Sequence, residues 1–171
     1  MVRRATVQDA PAIARVTSAG FESCRAFAPD GWEPPEDMIG GLAERLARPG
    51  AWGVVEERDG AIAGFAAFIP AYEIPDGPPI PGLAHVWAVF VSPAAQGTGV
   101  ATVLMDALIE EIAAQGLPEA RLFVAEGQER ARAFYAREGW HETSEPVFVE
   151  ALNLRVVEMR TSRPRGARAR P

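Results

Sequence analysis

Residues 85–106 read HVWAVFVSPAAQGTGVATVLMD and carry the strongest local pattern of the chain. The stretch begins with β-branched and aromatic residues up to Pro93, which predicts a strand. Gly97 and Gly99 follow in a loop where the backbone can approach a ligand closely, because glycine has no Cβ atom. From Val100 onward, apolar residues recur at steps of three and four, which indicates an amphipathic helix. Since a helix N-terminus presents unpaired N–H groups to anions, the stretch predicts a strand, a phosphate-binding loop and a helix.

Two common nucleotide-binding loops do not fit this stretch. A Walker-type loop requires a lysine, and the chain contains none. A dinucleotide-binding fingerprint requires a third glycine where Thr102 stands, and an acidic residue at the end of the next strand. Glu119 has about the right spacing, but it precedes its predicted strand instead of ending it. A Rossmann-type nucleotide domain is therefore disfavoured.

Two motifs, in order along the chain, indicate a different ligand. Gln-x-x-Gly-x-Ala at residues 96–101, after a strand that ends in Val-x-Pro, resembles the acetyl-CoA loop of the GNAT superfamily of N-acetyltransferases. Residues 130–140, RARAFYAREGW, resemble the Ala-x-x-Phe-Tyr helix and turn of the same family. The likeness covers residues 50–142. It implies a single α/β domain of the GNAT fold, with a central, mixed, splayed β-sheet and helices on both faces.

The resemblance implies that acetyl-CoA lies between the strand at His85 and the strand at Arg121. The backbone of the first strand would bond the pantetheine arm as an added strand would, and the glycine loop would take the pyrophosphate. Gln128 stands where many relatives carry an asparagine that contacts the pantetheine region. The cofactor-binding residues implied in this way are Val89, Phe90, Val91, Gln96, Gly97, Thr98, Gly99, Val100, Ala101, Thr102, Gln128, Ala131 and Tyr135.

Acyl transfer to an amine needs a base for the amine, donors for the developing oxyanion and an acid for the departing thiolate. By the resemblance Tyr135 is the acid, and a strand N–H near Val89 meets the oxyanion. His85 stands where many relatives carry a glutamate, and an imidazole is a suitable base near neutral pH. Glu73, Asp76 or a water molecule are alternative bases.

The predicted function is direct transfer of an acetyl group to a primary amine, because Cys24 falls on the first predicted helix and outside the cofactor cleft. The alternative is a non-catalytic acyl-CoA-binding sensor of the same fold, since His85 and Gln128 depart from the family pattern. Two loops, residues 28–37 and 71–83, contain six carboxylates and no arginine. This charge predicts a cationic small molecule or a peptide amine as acceptor. Trp32, Tyr72 and Glu73 are the predicted substrate-binding residues, with the aromatic rings facing the cation.

Composition limits the remaining possibilities. A chain of 171 residues, 48% hydrophobic, suits one domain over residues 1–160, with a disordered basic tail at 161–171. The net charge of −6 disfavours nucleic acid as a partner, and no apolar run reaches the length of a membrane span. One cysteine and the lack of a signal peptide predict a cytoplasmic protein. His85 and His141 share no metal-ligand spacing with Cys24, so no metal site is predicted. A homodimer is common in the family.

The remaining elements follow from periodicity and turn residues. Asp9 is the predicted N-cap of the first helix, and Asp59-Gly60 predicts a tight hairpin. The proline-rich residues 70–82 predict a long loop. Strands are predicted at residues 2–6, 52–57, 61–69, 121–125, 141–143 and 148–158, and helices at 10–21, 36–48, 100–115 and 129–138.

Overall fold

The structure, a computed structural model, describes residues 1–36, 41–73 and 77–162. Eight strands within these ranges form one sheet in the order β1-β2-β3-β4-β5-β8-β6, with β7 also paired to β8. The neighbours are antiparallel except β4 and β5, which are parallel, so the predicted mixed sheet is confirmed. The strands are β1 (Val2–Arg4), β2 (Trp52–Arg58), β3 (Ala61–Tyr72), β4 (Pro79–Val91), β5 (Glu119–Ala125), β6 (His141–Glu142), β7 (Val147–Val149) and β8 (Leu154–Thr161).

Helices cover both faces of the sheet, as the sequence predicts. The described helices are α1 (Ala10–Glu22), α2 (Leu42–Ala47), α3 (Val100–Ala114) and α4 (Glu129–Arg137). One apolar core joins the sheet to α3 and α4 through Val86, Leu104 and Tyr135. A second core, which includes Ile13 and Phe65, joins the opposite face to α1 and α2. None of the described helices is long and apolar enough to cross a membrane.

Strand β4 pairs fully with β3 and only in part with β5. A bulge in its pairing with β3 leaves Trp87 between the pairs Ala67–Ala88 and Phe68–Val86. On the other side, only residues 83–86 pair with residues 119–122 of β5. Beyond them the two strands separate, and the rest of β5 pairs with β8 alone. The predicted splay is therefore present, and the opening between the two strands is called the seam below.

Several predicted elements are confirmed. The hairpin between β2 and β3 turns at Asp59 and Gly60, both with positive φ, as a two-residue turn requires. Helix α4 ends before Gly139, whose φ of 90° fits the predicted helix C-terminus. Asp9 does occupy the N-cap position of α1, but its carboxylate accepts hydrogen bonds from Thr6 and Arg3 instead of from the helix.

Other predicted boundaries were wrong. The predicted loop at residues 70–82 is partly strand, because β3 runs to Tyr72 and pairs there with Pro79 at an irregularity that accommodates the prolines. Residues 148–158, predicted to supply the last strand or strands, form a hairpin of β7 and β8, with Asn153 at a φ of 48° in the turn. The structure gives α2 as Leu42–Ala47, and residues 37–40 of the predicted helix lie outside the described residues. Residues 163–171 of the predicted tail also lie outside them, whereas Thr161 belongs to β8.

Candidate active site

A cleft of about 740 Å³ opens at the seam. Its floor consists of residues 86–91 of β4 and 122–125 of β5, and its walls include the end of α1, the loop before α3 and one face of α4. This volume falls in the range of sites for small ligands. Because β4 and β5 are unpaired here, backbone groups of β4 that face the seam have no strand partner. The predicted pantetheine-binding residues Val89, Phe90 and Val91 all line this cleft.

The glycine loop forms one end of the cleft. Gly97 and Gly99 have φ values of 79° and 88°, a region that strongly favours glycine. The N–H groups of residues 97 and 99–102 find no backbone acceptor among the described residues, while the N–H of Val103 begins the ladder of α3 by bonding to Gly99. These groups lie at the N-terminus of a helix of 15 residues, where the helix dipole favours an anion.

Not every residue of the predicted loop turns its side chain into the cleft. Gln96, Gly97, Gly99, Ala101 and Thr102 line it. Thr98 instead bonds to the carbonyl oxygen of Ala95 and accepts a hydrogen bond of 2.7 Å from Arg58, and Val100 is 1% exposed in the core. Thr98 and Val100 therefore shape the loop, and any contact of Val100 with a ligand is limited to its backbone.

Tyr135 lies on α4 at the side of the cleft. Its ring packs against Phe134 and Trp140, with centroid distances of 5.4 and 6.1 Å. Burial raises the pKa of its hydroxyl far above the usual range, so the phenol keeps its proton at any physiological pH. Ala131, one turn earlier on the same helix, also lines the cleft. The structure therefore brings Tyr135 and Ala131 together with the strand and loop residues predicted to bind the cofactor.

A family model described as "Acetyltransferase (GNAT) family" matches residues 19–140, which include the seam, the glycine loop and α4. The chain belongs to this family. No curated protein sequence matches the chain.

Solved structures share the fold of this acetyltransferase. A ribosomal-protein-alanine N-acetyltransferase from Brucella melitensis matches with a TM-score of 0.73 and 22% identity, over 94% of this chain and 98% of that one. The putative acetyltransferase yncA from Salmonella typhimurium, solved with acetyl-CoA, matches with a TM-score of 0.72 and 19% identity, over 100% and 96%. The paia N-acetyltransferase from Thermoplasma acidophilum, solved with coenzyme A, matches with a TM-score of 0.71 and 14% identity, over 92% and 96%. At these identities the likeness shows the fold alone.

Two arginines of the acetyltransferase line the cleft although the sequence did not single them out. Arg130 donates a hydrogen bond of 3.0 Å to Gln96 and lies beside Gly97, and Arg137 lies further along α4. Residues seven apart lie on the same face of a helix, and this spacing in the sequence could have identified the two arginines. Arg130 adds a positive charge beside the N–H groups of the loop, whereas Arg137 lies 3.8 Å from the carboxylate of Glu138.

Cys24 lies in the wall of the cleft, and the prediction that it falls outside was wrong. It follows α1 in a short 3₁₀ turn and is 7% exposed. The Gln128 amide donates to Ser23 Oγ at 2.7 Å and to Cys24 Sγ at 3.5 Å, so the chain end of α1 is joined to the start of α4. Burial raises the pKa of the Cys24 thiol, which disfavours the reactive thiolate.

His85 lies next to the cleft, just before the seam opens. It pairs with Arg121 across the parallel β4–β5 ladder, and its ring lies 5.5 Å from that of Phe123. Burial, together with the nearby charges of Arg121 and Arg45, lowers the pKa of His85 to about 4. The imidazole is therefore neutral at physiological pH.

The predicted substrate-binding residues do not line the cleft. Trp32 is 3% exposed and donates a hydrogen bond of 2.8 Å to the carbonyl oxygen of Leu152, and the guanidinium of Arg25 lies 6.0 Å from its ring centre. Its indole is therefore a core group already covered by a cation of the chain, not the open aromatic face that the sequence predicted. The Tyr72 carbonyl accepts a hydrogen bond from Arg121, and Glu73 follows it at the end of β3. Asp37 and Asp76 lie outside the described residues.

Proposed function

We propose that this acetyltransferase transfers the acetyl group of acetyl-CoA directly to a primary amine. The observation that carries the proposal is the seam, where unpaired strand backbone, an anion-binding loop and a buried tyrosine meet in one cleft. An extended pantetheine arm can hydrogen-bond to open strand backbone as another strand would. The function needs these three features together.

The residues present fit acetyl-CoA. The backbone of residues 89–91 would hold the pantetheine arm, and the N–H groups of the loop with Arg130 would hold the pyrophosphate. Acetyl-CoA supplies the acetyl thioester when bound. Gln128 lines the cleft with its Nε2 bonded to Ser23, so its Oε1 is the atom that would accept a hydrogen bond from an amide of the arm.

Tyr135 is the proposed general acid. The phenol is protonated at physiological pH and can pass its proton to the leaving sulfur as the C–S bond breaks, although burial raises its pKa above that of a thiol, near 8.5, and makes it the weaker acid of the two. Backbone N–H groups freed near Val89 would meet the developing oxyanion.

His85 is the proposed base, acting directly or through water. Its neutral form at physiological pH has a free ring nitrogen that can take a proton from the amine. The lowered pKa makes it a weak base, so its proposed role is to take the proton that the amine loses as it attacks the thioester, not to deprotonate a fully charged ammonium.

Direct transfer is supported by the protonated form of the Cys24 thiol, not by the position of Cys24. The thiol lies at the cleft wall, but burial raises its pKa and keeps it protonated, against the smaller opposite effect of the hydrogen bond from the Gln128 amide. A protonated thiol is a poor nucleophile, so an acyl-cysteine intermediate is disfavoured.

The acceptor is proposed to be a primary amine of a small molecule or of a peptide. The acidic loops give a cationic acceptor limited support, since Glu33 is paired with Arg25 and lies near neither the cleft nor Tyr135. A cytoplasmic location and a homodimer stay predictions from the sequence.

Replacement of Tyr135 by phenylalanine tests the proposal, with CoA release as the measurement. We expect kcat to fall about 100-fold, as for the loss of a general acid. The rise in unfolding temperature caused by acetyl-CoA should persist in the variant, which would show that the cleft is intact. Undiminished turnover would remove Tyr135 from the mechanism. Absence of any acetyl-CoA-dependent rise in the wild type would contradict the cofactor.

A further inference from the structure

Three partly buried side chains at the seam each carry a buried nitrogen atom that lacks a hydrogen-bond partner. In the described part of the chain, five buried side-chain nitrogen or oxygen atoms lack one. Three of the five are Trp87 Nε1, Arg121 Nε and His85 Nδ1. Buried polar groups in folded proteins are nearly always paired, so a local concentration of unpaired ones calls for a ligand.

The three residues occupy one region of the sheet. His85 and Arg121 are partners in the β4–β5 ladder, immediately before the strands separate. Phe123 lies against both, with its ring 5.5 Å from the His85 ring and 5.5 Å from the Arg121 guanidinium carbon. Trp87, at the bulge two residues beyond His85, lines the cleft together with Phe123. The group therefore lies at the end of the cleft opposite to the cofactor loop.

Among the described residues, three arginines and two glutamates act on Arg121 and His85 or are one of them: Arg45, Arg121, Arg160, Glu73 and Glu158. Arg121 makes no ion pair among the described residues, since its one hydrogen bond goes to the Tyr72 carbonyl. The guanidinium carbon of Arg45 lies 5.1 Å from the centre of the Trp87 ring. Glu158, the acidic residue across from Phe123, is bonded to Arg160 and Thr143. Burial is the main cause of the lowered pKa of His85; Arg121 and Arg45 lower it further, and Glu158 raises it.

We propose that Trp87, Arg121 and His85 bind the carboxylate of the acceptor, which is therefore an amine that also carries a carboxylate, as an amino acid does. A carboxylate has two oxygens that accept several hydrogen bonds and suits a guanidinium best of all. If His85 Nδ1 carries the ring hydrogen as a donor, the other ring nitrogen is free to act as the base, so the two roles do not compete. This inference rests on the proposed function.

The sharpest test compares acceptors that differ only in the carboxylate. The wild-type protein with acetyl-CoA is assayed for CoA release with the proteinogenic amino acids, with their α-amides, and with amidated peptides that begin with aspartate or glutamate. We expect kcat/KM for the best carboxylate-bearing acceptor to exceed that of its amide by about 100-fold. Preference for the acidic peptides over free amino acids would place the carboxylate on a peptide side chain and support the proposal.

Variants locate the effect. Arg121→Gln should raise KM for the carboxylate acceptor and reduce the acid-to-amide preference by about tenfold or more, with the response to acetyl-CoA unchanged. Arg155→Gln is the control, because Arg155 is a largely exposed arginine of the neighbouring strand β8 that is ion-paired with Glu126. It should keep the preference. Trp87→Phe removes the indole N–H and keeps an aromatic ring, and it should weaken the acid-to-amide preference. It tests the same site independently in case the arginine variant does not fold.

The outcomes separate this inference from the proposed function. Turnover with amines regardless of a carboxylate, or a preference that survives in Arg121→Gln and Trp87→Phe, would overturn the carboxylate site and leave acetyl transfer in place. No turnover with any amine, despite a response to acetyl-CoA, would count against both.

Discussion

The two ends of the cleft are built from different parts of the chain. At the cofactor end, the binding groups are backbone N–H groups, held in place by two glycines with positive φ and by the start of α3. At the other end, the groups without partners are side-chain nitrogen atoms of Trp87, Arg121 and His85. These residues lie on β4 and β5, which pair with β3 and β8 in the sheet. A backbone donor is present with almost any residue, and its position depends on the conformation of the chain. A side-chain donor is present only with the right residue.

This difference predicts how each end responds to change. The cofactor end should be sensitive to added Cβ atoms and to displacement of α3, because either moves the backbone. The other end should be sensitive to the loss of a charge or donor and to pH. One fold can therefore keep its cofactor while its acceptor changes with a few side chains.

The largest expected effect is on the acceptor end and comes from pH. The pKa of His85 is lowered from its ordinary 6.5 to about 4 in the folded protein. Between pH 6.5 and about 4, His85 is protonated in the unfolded chain and neutral in the folded protein. The free energy of unfolding therefore falls as the pH drops through this range. The full contribution is on the order of 3 kcal/mol. Denaturant unfolding at several pH values measures it.

His85→Gln should remove this part of the pH dependence, and His141→Gln, at the exposed second histidine, should keep it. Equal pH dependence in the wild type and in His85→Gln would show that His85 is protonated as easily in the folded protein as in the unfolded chain.

A smaller effect is expected where α3 meets the sheet. In Gly64→Ala the new Cβ would lie 2.7 Å from Val100 Cγ1 and 2.8 Å from Leu104 Cδ1, so the start of α3 must move. We expect a loss of about 1 to 3 kcal/mol in stability and weaker acetyl-CoA binding. Urea unfolding and titration calorimetry measure the two quantities.

Gly53→Ala is the matched control on the opposite face. Its Cβ would lie 2.8 Å from Leu46 Cδ2 and 3.1 Å from the Phe65 ring, far from the cleft. A similar loss of stability with unchanged affinity is expected. If both variants weaken acetyl-CoA binding equally, the position of α3 is not what holds the loop.

The smallest effect is expected from strain in the loop itself. Gly99 and Gly116 stand at the two ends of α3 with φ values of 88° and 73°, and a Cβ on either would meet nothing within 4 Å. Alanine at either position should cost about 1 kcal/mol of stability through backbone strain alone. Only Gly99→Ala should also weaken acetyl-CoA, by about tenfold. Equal affinities in the two variants would mean that the loop conformation does not govern binding.

The difference between the two ends of the cleft also explains which features the sequence could predict. The glycine loop, α3 and the hairpin at Asp59 followed from local patterns, because glycine, turn residues and helical periodicity act within a few positions, whereas the place of Tyr135 followed from the family resemblance. The cofactor end is made of such local features. The strands at the seam were also placed correctly, and the splay came from the family resemblance.

The rest depends on contacts between residues that are distant in sequence. Trp32 is buried because its indole N–H reaches Leu152, and Cys24 lies at the cleft because the Gln128 amide joins the ends of two helices. The pairing of His85 with Arg121 is set by the register of a parallel ladder, which no local pattern encodes. The second end of the cleft is assembled from contacts of this kind.

The short β4–β5 pairing also has a mechanical consequence. Four residue pairs join the half of the sheet formed by β1 to β4 to the half formed by β5 to β8. A ligand whose extended arm hydrogen-bonds to both strands where they separate would connect the two halves of the sheet more strongly. Amide hydrogen exchange should therefore slow on both sides of the seam when acetyl-CoA binds, including strands that never touch it, because opening of either half would now require the ligand to leave.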